Sequence, residues 1–138
     1  MADDLSQTLA LLRGQRHGFM NHLQVISGWL QMGKHDRAMQ YISRVAARLE
    51  AEGELLRRVE SPAAALFVLA ADQEAESHGV VIEWEVTGPV DSADLSSAQE
   101  RLSAELTAAS ALPEGARRIM VTLGRTISVH RPSVQGEG

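Results

Sequence analysis

The feature that most constrains the fold of this chain is a pair of apolar heptad seams in its first 60 residues. Alternating steps of four and three residues connect the members of the first seam, which are Leu5, Leu9, Leu12, Arg16, Phe19, Leu23, Ile26 and Leu30. The second seam has the same spacing and consists of Ala38, Ile42, Val45, Leu49, Glu52, Leu56 and Val59. This spacing is typical of two long helices that each bury one stripe of side chains.

A short polar break, Met32 to Asp36, separates the two seams. Gly33 suits the left-handed conformation that ends many helices, and Asp36 suits the N-cap of the next one. Such a short turn predicts antiparallel neighbouring helices. We expect two copies of this hairpin to pair as a homodimeric four-helix bundle, because the rest of the chain has its own apolar faces to bury. The alternative is that the hairpin packs on the C-terminal half.

The second half of the sequence predicts a small helix-on-sheet layer with the order α-β-α-β-β. The expected elements are a helix over 62–78 after Ser61, a half-buried strand over 80–87, a helix over 94–111, and strands over 118–123 and 126–131, followed by a loose tail over 133–138. We therefore predict an α+β protein. Its domains are a helical hairpin over residues 1–60 and a small α/β domain over residues 61–138.

Composition excludes several classes of protein. The 138 residues contain no cysteine, so disulfides, cysteine-based zinc sites and thiol nucleophiles are absent. A formal net charge of −5 argues against broad nucleic-acid binding, which needs clustered positive charge. The longest apolar run, Ala63 to Ala71, is too short for a bilayer span, and the start of the chain is acidic, unlike a secretory signal. We expect a cytoplasmic protein with no membrane or nucleic-acid partner.

The most informative stretch for chemistry runs from Arg16 to Gln24. His17 comes one place after a seam position, which predicts that its ring lies at the flank of a bundle. Asn21 lies one helical turn later and Arg13 one turn earlier, so all three share a face. Gly14 and Gly18 border this patch. They either let a partner approach the imidazole closely, or they mark a local kink or helix break, or they are simply tolerated.

An imidazole at this position suits phosphoryl transfer. It is largely neutral at pH 7 and therefore offers a nucleophilic ring nitrogen. Arg13 and Arg16 are able to offset phosphoryl charge, and Asn21 to donate a hydrogen bond. The alternative is a solvated histidine without function. No metal site is predicted, because His22 diverges from His17 on the helix and no carboxylate completes a ligand set.

These residues resemble a known family pattern, Arg-His-Asp-x-x-Asn-x-Leu-Gln-x-Ile-x-Gly. The sequence matches it at Arg16, His17, Asn21, Leu23, Gln24, Ile26 and Gly28. The pattern is that of the phosphoacceptor hairpin in the sporulation phosphotransferase B-like family, and the same hairpin occurs in citrate- and fumarate-sensing histidine kinases. The resemblance is strongest over residues 16–42 and weak after residue 90.

The resemblance implies that His17 is the phosphorylated residue and Asn21 its neighbour at the active patch. It also implies a homodimeric four-helix bundle and a degenerate kinase-like C-terminal domain that does not bind ATP. Such a protein relays phosphoryl groups between response-regulator aspartates in a two-component phosphorelay. The Mg²⁺ is expected on the partner receiver domain, and no cofactor on this chain. ATP-dependent autophosphorylation is not expected, since no nucleotide-binding motif follows residue 90.

One departure from the pattern is Gly18, which stands where the family has an acidic residue. Its loss removes a carboxylate that supports the ring, so a second hypothesis is a catalytically inert dimerisation or docking module that binds a response regulator or kinase. Basic residues on the hairpin predict steering toward an acidic receiver, with an ordinary solvated surface as the alternative. They are Arg13, Arg16, Lys34, Arg37, Arg44 and Arg48.

Overall fold

A computed structural model describes residues 2–132, apart from the side chains of residues 2–4 and 92. The main elements in chain order are α1 (Ala2–Gln31), α2 (His35–Arg58), α3 (Pro62–Ser77), β1 (Val81–Val86), α4 (Leu95–Ser110), β2 (Arg118–Leu123) and β3 (Ser128–His130). This order confirms the predicted α+β class. The chain forms two compact units, residues 1–54 and residues 55–138. The tail predicted over 133–138 lies outside the described residues.

The turn between α1 and α2 has the predicted glycine stop. Gly33 adopts a φ of +72°, and the Lys34 amide donates to the Trp29 carbonyl at 2.9 Å. The prediction of Asp36 as N-cap is wrong, because the Ala38 amide already donates to the Lys34 carbonyl at 3.1 Å. Lys34 therefore occupies the cap position, and Asp36 lies in the first turn of α2, where its charge complements the helix dipole.

The two helices of the hairpin meet through a narrow stripe of residues. In α1 this inner stripe consists of buried Leu11 and half-buried Thr8, Gly14, Gly18, His22, Ile26 and Trp29. On α2 the matching residues include buried Ala38 and half-buried Tyr41 and Val45. Most members of the heptad seams are instead exposed in the single chain, namely Leu5, Leu9, Leu12, Phe19, Leu23, Leu30, Ile42 and Leu49. The contact between α1 and α2 therefore leaves most of the apolar seam uncovered.

The first complete helix of the C-terminal unit has Ser61 as its N-cap. The Ser61 hydroxyl accepts from the Ala64 amide at 3.3 Å, and Pro62 takes the first helical position. After the helix, Gly79 adopts a φ of +69° and turns the chain into β1. The strand then alternates between exposed and half-buried residues, as its sequence predicts.

The sheet has the strand order β1-β2-β3, with β1 and β2 parallel and β2 and β3 antiparallel. Helices α3 and α4 pack on one face and enclose a core whose most deeply buried side chains are Val68, Leu102, Leu106, Ile119, Val121 and Leu123. Strand β3 is shorter than the predicted 126–131, because the Ile127 amide donates to the Asp94 carboxylate at 3.2 Å instead of joining the ladder. Among the described residues, no helix is long and apolar enough to span a bilayer.

Replacing Leu106 with alanine tests the core of this unit. Leu106 is fully buried, and we expect the change to lower the free energy of unfolding by about 2–5 kcal/mol, because it leaves a cavity. Urea denaturation measures the effect. Leu66, on α3, is 42% exposed and provides the matched control, since its change to alanine should cost much less. Equal losses at both positions would contradict the core assignment.

Candidate active site on the helical hairpin

His17 lies in the middle of α1 with its side chain exposed. Within the described part of the chain, no residue forms a hydrogen bond or ion pair with its ring, so the imidazole is open to an incoming group. Each residue of an α-helix turns the direction of the side chain by about 100°. Arg13 and Asn21 therefore point within about 40° of His17, whereas Arg16 points about 100° away, toward the seam. The structure thus brings Arg13, His17 and Asn21 together on one face, with Arg16 at its margin.

The second histidine of the motif has a different environment. His22 Nδ1 lies 2.6 Å from Tyr41 Oη, which makes a hydrogen bond between α1 and α2, and the two rings are tilted at a centroid distance of 5.6 Å. His22 therefore points toward α2 while His17 points to solvent, and the two rings diverge as the spacing predicts. The described residues contain no group of three or more histidine, aspartate or glutamate side chains that could hold a metal.

Gly18 belongs to the inner stripe of α1. It is half-buried and precedes His22 by one helical turn, so it lies on the side of α1 that meets α2. Helix α1 continues without a break through Gly14 and Gly18, which excludes a helix break at either glycine. An acidic side chain at position 18 would start from the α1–α2 contact, about 100° away from the direction of the His17 ring.

The bond between His22 and Tyr41 fixes how the two antiparallel helices align. The bonded residues His22 and Tyr41 lie at about the same height along the helix axes. Counting from them in opposite directions, Arg44 of α2 comes to the height of residue 19 of α1 and Arg48 to that of residue 15, one on either side of His17. Sequence reasoning included these arginines in a general basic surface but did not place them beside His17. The height of these arginines relative to His17 depends on how the two helices align across the turn. The polar residues His22 and Tyr41, which bond to each other, define that alignment.

Two arginines of α2 rest on aromatic rings. The Arg37 guanidinium lies 5.4 Å from the centre of the Trp29 ring, and that of Arg44 lies 5.7 Å from the centre of the Tyr41 ring. Lys34 Nζ also approaches Trp29, at 5.9 Å. These are cation–π distances, and such contacts restrict the freedom of long basic side chains. Trp29, Arg37 and Arg44 also line one open surface depression, of about 660 Å³.

Positive charge is concentrated in the middle of the hairpin, between acidic residues near the start of α1 and near the end of α2. Residues 5–49 contain six basic residues and one acidic residue, Asp36, whereas residues 55–138 contain seven basic and twelve acidic residues. The face around His17 therefore belongs to the cationic part of an acidic chain. Such a surface attracts acidic partners and raises their rate of association.

Comparison with known proteins gives a family match for the hairpin. Residues 1–58 match the family model of the sensor kinase SpoOB-type, alpha-helical domain. The helical hairpin of this chain, residues 1–58, is a SpoOB-type alpha-helical domain. All of α1, with His17 and its neighbours, and all of α2 fall within the matched residues.

Two curated proteins are similar to this chain. It is 30% identical over 98 residues to Sporulation initiation phosphotransferase B of Bacillus subtilis, which covers 71% of this chain and 48% of that protein. It is 32% identical over 74 residues to Sensor protein CitS of Halalkalibacterium halodurans, covering 52% of this chain and 14% of the relative. The matched part therefore spans less than half the length of either relative.

Replacing Tyr41 with phenylalanine tests the link across the SpoOB-type hairpin. The variant keeps the ring but loses the hydroxyl, and we expect the hairpin to lose about 0.5–1.5 kcal/mol of stability, since one part-buried hydrogen bond is removed. Urea denaturation followed by circular dichroism at 222 nm measures the loss. In the His22→Ala background the same tyrosine change should cost less, and additive costs would mean that the two side chains do not interact.

Proposed function

We propose that this chain is a histidine phosphotransferase, which relays a phosphoryl group between response-regulator aspartates in a two-component phosphorelay through His17. The observation that carries this proposal is an exposed His17 ring, with no partner among the described residues, on the cationic face of a SpoOB-type hairpin. The name of the Bacillus subtilis relative, a phosphotransferase, supports the same chemistry.

The transfer step is a substitution at phosphorus. The lone pair of a neutral His17 ring nitrogen attacks the phosphorus of an aspartyl phosphate on a receiver domain. A nitrogen–phosphorus bond forms while the bond from phosphorus to the aspartate oxygen breaks, and the aspartate leaves as a carboxylate. The positive charge that develops on the imidazole is relieved when the other ring nitrogen releases its proton to solvent. The same step in reverse passes the group to an aspartate on a second receiver.

The residues around His17 have separate roles in this step. Arg13, one turn before His17, offsets the charge of the phosphoryl oxygens, and Asn21, one turn after it, donates a hydrogen bond to them. Arg16 acts at the margin of the site, since it points toward the seam. The receiver contributes the Mg²⁺, and this chain contributes no cofactor and uses no ATP.

The exposed seam supports a homodimer. Leu5, Leu9, Leu12, Phe19 and Leu23 form one stripe along α1 and are between 44% and 72% exposed in the single chain. A contiguous apolar stripe of this kind marks an interface. Two hairpins that join along these stripes form a four-helix bundle, and the His17 face stays outside it, because it points about 120° or more away from the seam residues Leu12 and Leu23.

Incubation with a phosphorylated receiver tests the relay. A receiver domain labelled with radioactive phosphate by a small-molecule phosphodonor should transfer label to the wild-type protein, and the new bond should be labile to acid and stable to base. His17→Ala should reduce this label to background, because no other side chain replaces the nucleophile. His130, an exposed histidine of the C-terminal unit, is the matched control, and its change to alanine should leave transfer unchanged. Equal labelling of His17→Ala would exclude the proposed role of His17.

Sedimentation equilibrium tests the dimer. Leu23→Glu places a charge in the seam and should convert the dimer to monomers, because a buried unpaired carboxylate costs more than the interface gains there. Gln24→Glu adds the same charge at the next residue, on the exposed outer face, and should leave the dimer intact. A monomeric wild-type protein, or dimers in both variants, would contradict the seam assignment.

The second candidate function is an inert dimerisation or docking module, and Gly18 is the observation that favours it. In that case a receiver binds with the same affinity to wild type and to His17→Ala, and no label moves. Gly18→Asp restores the acidic residue of the family pattern. Transfer that appears only in this variant would assign the wild-type chain to the second function.

A further inference from the structure

Strand β1 forms one edge of the three-stranded sheet, and no described strand pairs with its outer side. The amides of Val81 and Thr87 donate toward β2, at 3.0 Å and 2.8 Å. Alternate residues of a strand bond to opposite sides, so the backbone amides of Ile82, Trp84 and Val86, here called the outward amides, point away from the sheet. Together with the carbonyls of the same residues they form a template for one more strand.

This edge lacks the features that usually keep a sheet edge from pairing. Strand β1 has six residues, contains neither proline nor lysine, and pairs one-to-one with β2 without a bulge. The opposite edge differs, because β3 has only three residues and therefore offers a partner few backbone groups. Within the described sheet, β1 is thus the edge that is long and regular enough to accept another strand.

The helix-covered side of β1 leaves apolar surface that a further strand would cover. Ile82, Trp84 and Val86 are half-buried, whereas their neighbours on β2 are at most 1% exposed. Those neighbours are Ile119, Val121 and Leu123. Helix α3 fixes Trp84 in place, since its ring meets Phe67 edge-on at a centroid distance of 6.1 Å and its Nε1 donates to Asp72 at 2.9 Å. An added strand would extend the core over this partly open apolar rim.

The solvent-exposed side of β1 is acidic. Glu83 and Glu85 project from it, and Glu83 forms an ion pair with Arg118 of β2 at 3.2 Å. Within the described residues Glu85 has no ion pair, so its negative charge is not neutralised.

This charge pattern disfavours a second copy of β1 as the occupant of the edge. If two β1 strands paired antiparallel about Trp84, each Glu83 would face the Glu85 of the other copy, and like charges directly opposite each other destabilise a sheet. A strand with basic residues at these positions would instead form two favourable cross-strand pairs.

We propose that the outer edge of β1 binds an extended segment of a partner protein in which basic and apolar residues alternate. The segment adds a fourth strand to the sheet. Its backbone pairs with the outward-facing groups of β1, its apolar side chains cover the rim on the helix side, and its basic side chains face Glu83 and Glu85. The backbone bonds supply affinity, and the alternation supplies specificity. This interaction is independent of His17 and of the proposed relay.

Hydrogen exchange followed by NMR on the full chain tests the geometry. The probe is a synthetic peptide as long as β1, in which valine and arginine alternate. In the free protein the outward amides should exchange faster than the amides of Glu83 and Glu85, because only the latter are paired with β2. Peptide at about ten times its Kd should slow exchange of the outward amides roughly tenfold.

Two results of this measurement would overturn the proposal. The first is a peptide that leaves exchange of the outward amides unchanged. The second is protection of these amides without any peptide, because another segment or a second copy would then already occupy the edge.

Modified peptides test the pattern, with Kd measured by calorimetry. A peptide of the same composition with its valines and arginines in separate blocks should bind roughly tenfold more weakly, as should one with glutamate in place of arginine. Methylation of one alternate set of peptide amides should abolish binding, and methylation of the other set should leave it, since only one set faces β1. Equal effects of the two methylated sets would exclude strand addition.

A charge reversal on the protein gives an independent test. Glu85→Lys should raise the Kd of the valine–arginine peptide roughly fivefold, because an attractive cross-strand pair becomes a repulsive one. Glu100→Lys makes the same change on the exposed surface of α4, so it is the matched control and should leave Kd near the wild-type value. Equal losses in both variants would mean that the peptide responds only to the net charge of the C-terminal unit, and the proposed site on β1 would be wrong.

Discussion

The narrow contact between α1 and α2 is the constraint on which the rest of this structure depends. Each helix buries or half-buries one stripe of residues, and the bond between His22 and Tyr41 links the two stripes. Because the contact is narrow, each helix keeps most of its circumference free. One exposed face of α1 is apolar and another carries His17. Both faces are exposed because the hairpin buries a third stripe of α1 against α2.

The sequence was sufficient to predict the elements because their signals are local. Heptad spacing, the glycine at position 33, the helix start at Pro62 and the alternation in β1 each depend on neighbouring residues only. The predictions that were wrong depend on contacts at a distance or on one backbone bond. Helix α2 begins with the hydrogen bond to the Lys34 carbonyl and is not capped by Asp36. The Ile127 amide donates to Asp94, which lies 33 residues earlier in the chain, and β3 is therefore shorter than predicted.

The candidate site shows the same division. A motif on one helix is enough to select His17, Asn21 and Arg13, because helical periodicity alone places them on a common face. The alignment of Arg44 and Arg48 with His17 was not accessible in this way, since it requires the register of two helices across a turn. That register is set by packing and by interhelical contacts such as the hydrogen bond between His22 and Tyr41, neither of which has a periodic signature. The same reason explains why Gly18 lies in the inner stripe, although it is adjacent to His17 in sequence.

The separation of charge along the chain has a consequence for its bulk behaviour. The sequence pI of about 5.5 reflects residues 55–138, which carry the whole net charge of −5, because residues 1–54 contain six basic and six acidic residues. Methods that respond to the whole molecule, such as ion exchange or isoelectric focusing, would group this chain with ordinary acidic proteins. Within residues 1–54, however, all six basic residues lie between positions 13 and 48 and five of the six acidic residues lie near the two ends, so an approaching anion meets locally positive potential in the middle of the hairpin.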